Sequence, residues 1–301
     1  MKQNSIKFAL SKWSQKCDVL DVELIISHVL GKDRVFIMTH PEYIFTKKYQ
    51  EQISSLCKKR ATGYPLAYIL GYKEFYSRNF TLNEYTLVPR PETELLIEKA
   101  IDFILKKEIK NTLILDIGTG SGIIAITLAK ELETKNIQTK IVASDISARA
   151  LEIAELNAQS HKVNIKFYKS DLLSDNQLQN EIIQTTFKNI IIVSNLPYVD
   201  IAQKQSLLEQ PESSALYFEP SEALWSPEDG LSHYKKLITQ TIKITRNNQF
   251  KSKKLTSFYE IDSSQSNLLT QYLHSELPTN TDVEYFKDLS EKNRVVRWTI
   301  A

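Results

Sequence analysis

The sequence predicts an α/β protein: a doubly wound, mostly parallel sheet behind a small helical domain. Three observations carry this. None of the nine prolines falls between Glu92 and Leu196. Within that stretch, short and fully apolar runs at 113–115, 141–143 and 190–193 alternate with helical patterns such as 148–159. Strands covered by helices on both faces produce that alternation. Up to about Tyr72, by contrast, the apolar periodicity is helical.

Taken in order, residues 21–30 form an amphipathic run that stops at Gly31, as a helix closed by a C-terminal glycine does. Residues 49–59 repeat the pattern and end before Gly63 and Pro65. From Phe75 to Val88 aromatic and β-branched residues alternate with polar ones, which predicts a β-hairpin. The expected organisation is therefore a helical domain at 1–74, a hairpin linker at 75–90 and a larger domain at 91–301. Pro89 and Pro91 punctuate the chain, and a helix is expected from Glu92. After the parallel strands, runs at 255–261 and 283–300 read as strands closing one edge.

At 301 residues the chain has room for two modest domains, and its 42% hydrophobic and 25% charged content is that of an ordinary globular protein. No apolar run approaches the roughly 18 residues of a membrane span. Residues 1–20 have no apolar signal core and no arginine-rich transit character. Two cysteines, Cys17 and Cys57, make no disulfide framework, and five scattered histidines give no metal-ligand spacing. No metal is expected, and a cytoplasmic location is. The net charge of +2 is uneven: residues 1–80 carry 13 Lys and Arg against 7 Asp and Glu, the remainder 25 against 29. The basic front fits an acidic or nucleic-acid-bearing partner; a solvated lysine-rich helical surface accounts for it as well.

Only seven glycines occur, and three of them fall within five residues, Gly118-Thr119-Gly120-Ser121-Gly122. They follow a buried strand at 113–117 and open a helix at Ile123. Glycine is required where backbone takes positive φ or approaches a ligand without a Cβ between. A dinucleotide fingerprint would place glycine or alanine at 123, which is Ile123, and the Gly-Lys-Ser/Thr of a P-loop is absent. Asp116, just before the first glycine, sits badly beside a pyrophosphate and well beside the ammonium of a methionine moiety. Asp145 ends the second strand, where a carboxylate can accept from both ribose hydroxyls. Asp171 follows the third strand within reach of an adenine amino group. Each aspartate alone reads as a helix cap or loop residue; together, at successive strand ends, they point to S-adenosylmethionine.

The fourth strand, 189–194, runs into Asn195-Leu196-Pro197-Tyr198. Ligands of open α/β sheets bind outside the carboxyl ends of the strands, so this tetrapeptide faces the transferable methyl group. An amide or aromatic amino nitrogen is a poor nucleophile because its lone pair is delocalised. A site that accepts both its N–H groups, with the Asn195 side-chain oxygen and the Leu196 carbonyl, fixes it and returns electron density. Pro197 biases Leu196 towards an extended conformation, and Tyr198 is expected to lie flat on the planar group. The sulfonium is already activated, so alignment supplies most of the catalysis.

With these motifs in place, the sequence resembles the HemK/PrmC-type release-factor glutamine methyltransferases over nearly its whole length. The segment Asp21 to Arg34 resembles the family's N-terminal helical part, and Tyr64 to Gly71 with Glu74-Phe75-Tyr76 its interdomain stretch. Leu87-Val88-Pro89-Arg90-Pro91-Glu92-Thr93-Glu94 is close to its signature. Glu219 to Leu224, Asp229-Gly230-Leu231, Asp288 to Ser290 and Arg294 to Val296 continue the match. The resemblance implies a class I S-adenosylmethionine-dependent methyltransferase fold with a seven-stranded sheet. It implies methylation of the glutamine amide in the Gly-Gly-Gln loop of peptide chain release factors. It also implies that Gly118 to Gly122 and Asp145 hold the cofactor, that Asp171 and Leu172 flank adenine, that Asn195 to Tyr198 hold the glutamine, and that the helical domain grips the rest of the release factor. Stable nucleic-acid binding and membrane association are not expected, and the oligomeric state stays open.

Three positions depart from the family pattern: Leu196 for the second residue of Asn-Pro-Pro-Tyr, Asp262 where Glu-Ile-Gly is usual, and Trp225-Ser226-Pro227 for a glycine pair. Leucine at the first of these is also known in ribosomal-RNA adenine dimethylases. An adenine N6-methyltransferase acting on RNA or DNA is therefore the main alternative, since adenine offers the same planar amino nitrogen. A non-catalytic protein that kept the fold is the third.

Overall fold

The computed structural model describes residues 4–250, 252–277 and 281–300. Met1 to Gln3 and Ala301, the extreme ends of the outer two expected domains, lie outside them. The chain forms two compact units, one of Met1–Lys73 together with Leu208–Phe218, the other of Glu74–Leu207 and Glu219–Ala301.

The first unit packs α1 (Ile6–Trp13), α2 (Val19–Leu30), α3 (Arg34–Thr39), α4 (Lys47–Arg60) and the short α5 (Leu66–Leu70). Ser5, Asp18, Asp33 and Thr46 cap the first four with side-chain oxygens, each replacing an orphan N–H partner at about 1 kcal/mol. Gly31 ends α2 in the left-handed region, as its position predicts. Ile6, Trp13, Val22, Ile25, Ile26 and Ile53 meet in its core, each burial contributing roughly 1.5–3 kcal/mol. The second piece of chain, 208–218, was not visible in the pattern. It seats Ser214 so closely that a Cβ on Gly63 would lie 2.5 Å from the Ser214 hydroxyl, and it sets Phe218 edge-on to Tyr64.

The hairpin is β1 (Tyr72–Phe75) and β2 (Arg78–Thr81), with Tyr76 and Ser77 at positive φ in a two-residue turn. It is shorter than the expected 75–88. Beyond Leu82 the backbone leaves the ladder, and the Val88 N–H donates to the Glu219 carboxylate instead.

In the second unit α6 (Thr93–Lys106) leads to β3 (Asn111–Ile117), α7 (Ile123–Thr134), β4 (Gln138–Asp145), α8 (Ala148–Ser160), β5 (Ile165–Lys169), α9 (Asn176–Gln184) and β6 (Asn189–Ser194). Then come β7 (Val199–Asp200), α10 (Lys204–Leu208), β8 (Trp225–Ser226), α11 (Ser232–Thr245), β9 (Lys254–Glu260), α12 (Ser266–Glu276), β10 (Val283–Lys287) and β11 (Asn293–Ile300). The seven-stranded sheet has the order β10-β11-β9-β6-β3-β4-β5. Only the pairings of β11, to β9 and to β10, are antiparallel, so the tail runs do close one edge. β3 is buried from Thr112 to Ile117, with one apolar cluster on each sheet face. Chain order reverses between β3 and β6, where Asp116 pairs with Val193 on one side and Ala143 on the other. That register brings Gly118, Asp145 and Asn195 to one carboxyl edge, at the switch point where such sheets bind ligands. No helix among the described residues is long and apolar enough to cross a membrane.

Candidate active site

Past Ile117 the chain turns sharply into α7. Gly118, Gly120 and Gly122 take φ of 76°, 56° and 82°, where a side chain costs about 1–2 kcal/mol. A Cβ on Gly118 would also lie 2.7 Å from Leu196 Cδ2, and one on Gly122 3.2 Å from Ala154 Cβ of α8. Gly120 differs: a Cβ there would meet nothing within 4 Å and would occupy the cavity that the residue lines.

Backbone groups clamp the turn. The N–H groups of Gly118 and Thr119 both donate to the Ser144 carbonyl at 2.9 Å. Asp145 accepts from Gly120 N–H at 2.8 Å through Oδ2 and from Ser147 N–H at 2.9 Å through Oδ1, and each oxygen keeps further acceptor capacity. Burial raises its pKa, and the N–H groups of Ser147, Gly120 and Ile146 restrain the rise. Asp116 lies beneath the turn, fully buried. Its Oδ2 accepts from the Thr119 hydroxyl at 2.6 Å and the Ala125 N–H at 3.1 Å. Its Oδ1 has no partner among the described residues. Burial pushes this carboxyl up to about 7, against the two donors, with Asp145 adding to the rise. A buried carboxylate oxygen without a donor is costly, and a cationic ligand group would relieve it.

At the third strand end Leu172 holds φ at 56°, rare for a leucine, and its carbonyl accepts from the Ser144 hydroxyl at 3.3 Å. Asp171 pairs with Lys236.

At the fourth, Asn195 Nδ2 donates to the Thr93 hydroxyl at 3.1 Å. The N–H of Leu196, which a proline there would lack, donates to the Tyr234 hydroxyl at 3.1 Å, and that hydroxyl donates to the Glu260 carbonyl. Tyr198 donates its hydroxyl to Glu260 Oε1 at 3.1 Å and accepts at its carbonyl from Gln265 Nε2 at 2.8 Å. Gly230 packs against that same carbonyl, where a Cβ would lie 2.0 Å from the oxygen. Glu260 is fully buried, and burial pushes it up to about 7 against the Thr93 and Tyr198 hydroxyls. Arg90 pairs with the buried Glu219 at 2.6 Å, which joins the signature at 87–94 to the segment at 219–224.

These groups border a cavity of about 480 Å³, within the roughly 300–1,000 Å³ of small-molecule sites. Gly118, Thr119, Gly120, Ser121, Asp145, Asp171, Leu172, Asn195, Leu196 and Pro197 line it. Asp116, Gly122 and Tyr198 do not. Gly122 faces α8, and the Tyr198 ring packs on the core with its hydroxyl anchored to Glu260, so the flat platform expected of it is not what the structure shows. Sequence reasoning gave no role to Arg90, Thr93, Trp225, His233 or Lys236, which also line the cavity. His233 is held to the Ser226 hydroxyl at 2.9 Å, and burial lowers its pKa. Arg90 and Thr93 lay in a stretch already singled out. Tyr234 and Gln265, which hold the tetrapeptide from behind, carried no local signal, and Glu260, which does so too, stood only as the first residue of the stretch set against the family's Glu-Ile-Gly. Asp262 takes φ of −76° and caps the turn to Gln265, so the departure from glycine costs no strain.

A family model described as the PrmC N-terminal domain matches residues 8–71, and one described as the methyltransferase small domain matches residues 92–210. The chain is 32% identical to the release factor glutamine methyltransferase of Clostridium botulinum, over 92% of its own length and 90% of the relative's. It is 37% identical to that of Koribacter versatilis over 73% of each. Among solved structures, the hMettl16 catalytic domain in complex with MAT2A 3'UTR hairpin 1 shares the fold, with a TM-score of 0.54 at 11% identity over 91% of this chain and 90% of that one.

Proposed function

The chain belongs to the release factor glutamine methyltransferase family, and from that premise we propose how its residues divide the work. It is an S-adenosylmethionine-dependent protein-glutamine methyltransferase acting on peptide chain release factors. The cofactor supplies a methyl group already activated on a sulfonium, so the protein's task is to hold two groups in line. The turn from Gly118 to Gly122 brings backbone close to the cofactor at Gly118 and Gly120, Asp145 accepts the ribose hydroxyls, and the Asp116 carboxylate, buried beneath the turn, attracts the methionine ammonium by its charge. Asp171 and Leu172 border the adenine.

The acceptor is the side-chain amide of the glutamine in the Gly-Gly-Gln loop, held by Asn195 to Tyr198. One observation carries this assignment. Asn195 spends its Nδ2 on Thr93 at 3.1 Å, which leaves Oδ1 to accept from a planar amino group beside the cavity. The Leu196 carbonyl is the second acceptor. Pro197 lines the cavity beside them, and Tyr198 acts through its anchored position rather than through its ring. The helical unit, which carries the basic excess, binds the body of the release factor.

Mass spectrometry of a release factor incubated with the protein and methyl-labelled cofactor tests the reading. One methyl group is expected on the Gly-Gly-Gln glutamine, and none when that residue is alanine. Label in RNA or DNA with the release factor unmodified would overturn it in favour of the adenine alternative, and no transfer at all would favour a binding protein.

A further inference from the structure

We infer that Tyr234 is a positioning residue for methyl transfer, its hydroxyl holding Leu196 so that the Leu196 carbonyl stays turned to the acceptor. This rests on the reading of that carbonyl as the second acceptor of the substrate's N–H groups. β6 and β9 pair in parallel as far as Ser194 and Tyr259. Continued by one rung, the ladder would run from the Leu196 N–H to the Glu260 carbonyl and from the Asp262 N–H to the Leu196 carbonyl. Both bonds are diverted. The Tyr234 hydroxyl stands in the first, accepting from the Leu196 N–H at 3.1 Å and donating to the Glu260 carbonyl. The Asp262 N–H goes to Gln265 Oε1 at 3.0 Å, which leaves the Leu196 carbonyl to a ligand.

An N–H only donates, and a tyrosine hydroxyl has one proton, so the direction of this relay is fixed. Its far end is a main-chain carbonyl, which accepts whatever the charge on the Glu260 side chain. Tyr234 is fully buried, and its ring stacks on Tyr259 with centroids 5.0 Å apart, so the hydroxyl is a rigid post. Pro197 restrains Leu196 on its carbonyl side. On the other side, leucine leaves φ free where a proline would lock it. Tyr234 thus supplies from outside the constraint that an Asn-Pro-Pro-Tyr tetrapeptide carries in its own ring.

The test compares Tyr234→Phe, Leu196→Pro and the double variant with the wild type on a release factor, reading single-turnover rate, KM, cofactor Kd and melting temperature. Tyr234→Phe removes the hydroxyl alone. It is expected to lose at least about tenfold in rate, since one buried bond is at stake, with KM and cofactor Kd within about threefold. In the Leu196→Pro background the effect changes sign. There the proline ring puts a carbon in the place of the N–H hydrogen and crowds the hydroxyl, so adding Tyr234→Phe is expected to raise both rate and melting temperature. A hydroxyl that served only the Glu260 carbonyl would cost the same in both backgrounds. Three results would each overturn the proposal: a folded Tyr234→Phe within about threefold of the wild-type rate, equal losses of rate and cofactor affinity, or an equal loss in the two backgrounds. If neither Leu196→Pro chain folds, the split between rate and Kd in Tyr234→Phe decides alone. A wild type that methylates no release factor counts against the proposed function instead. The same variants are then read on an adenine-bearing acceptor, because the carbonyl argument concerns any planar amino group.

Discussion

On the cofactor side of the cavity, the two aspartates at the glycine turn are held from within β3, β4 and the turns that follow them. Asp116 accepts from Thr119 and Ala125, three and nine residues on, and Asp145 from Ser147, two residues on, and Gly120, 25 back. On the acceptor side the partners are remote. Asn195 depends on Thr93, 102 residues away, Leu196 on Tyr234, 38 away, and Tyr198 on Glu260 and Gln265, 62 and 67 away. The first side is a strand-to-turn motif closed by the end of the adjacent β4. The second exists only when α6, α11, β9 and the turn after β9 are all in place. Local damage should therefore reach binding on one side, and distant damage should reach chemistry on the other.

Asp145→Ala is expected to have the largest effect on binding. Hydrogen bonds to a charged acceptor contribute about 1.5–3 kcal/mol each, so losing the proposed pair weakens cofactor affinity by about one to three orders of magnitude. Calorimetry showing unchanged affinity in the folded variant would remove Asp145 from the site.

Gly230→Ala strikes the other side without touching the cavity. Its Cβ would meet the Tyr198 carbonyl at 2.0 Å with φ at 81°, and backbone cannot step aside as a side chain can. A stability loss of about 2–5 kcal/mol is expected, with Tyr198 displaced and transfer impaired. Gly120→Ala has open space around it, so its main cost falls on cofactor affinity. Thermal melts and isotherms of the two variants check the contrast; equal affinity losses would break it.

A smaller, pH-dependent effect separates the sides again. Asp116 and Glu260 are each pushed up to about 7, from 3.8 and 4.5. Between those values the folded protein holds protons that the unfolded chain has released, so stability falls as pH rises from about 4.5 to 7 and levels off above. Each group contributes on the order of 3–4 kcal/mol across that range. Cofactor should suppress the Asp116 share, because an ammonium favours the ionised form, and leave the Glu260 share. Denaturant titrations with and without cofactor, on Asp116→Asn and Glu260→Gln, measure each share; a slope unchanged in both variants would contradict the assignment.

The same asymmetry explains what was legible in the sequence. Gly118 to Gly122, Asp116 and Asp145 declared themselves because their partners are near in the chain and glycine has few reasons to cluster. The parallel strands were legible from runs buried on both faces. The hairpin end at Thr81 was not, since alternation continues past it and only Glu219, far along the chain, draws Val88 away. Nor was the return of 208–218 to the first unit, which no periodicity encodes. Asn195 was readable as a site, but its orientation was not, because that depends on Thr93, 102 residues away.

Asn195→Ala tests the division most directly when cofactor Kd and single-turnover methyl transfer to a release factor are measured on one preparation. The expected result is a rate loss of at least about a hundredfold, with affinity within about threefold of wild type. A rate loss below about tenfold, roughly 1.4 kcal/mol, would contradict the account, and so would a loss of affinity matching the loss of rate.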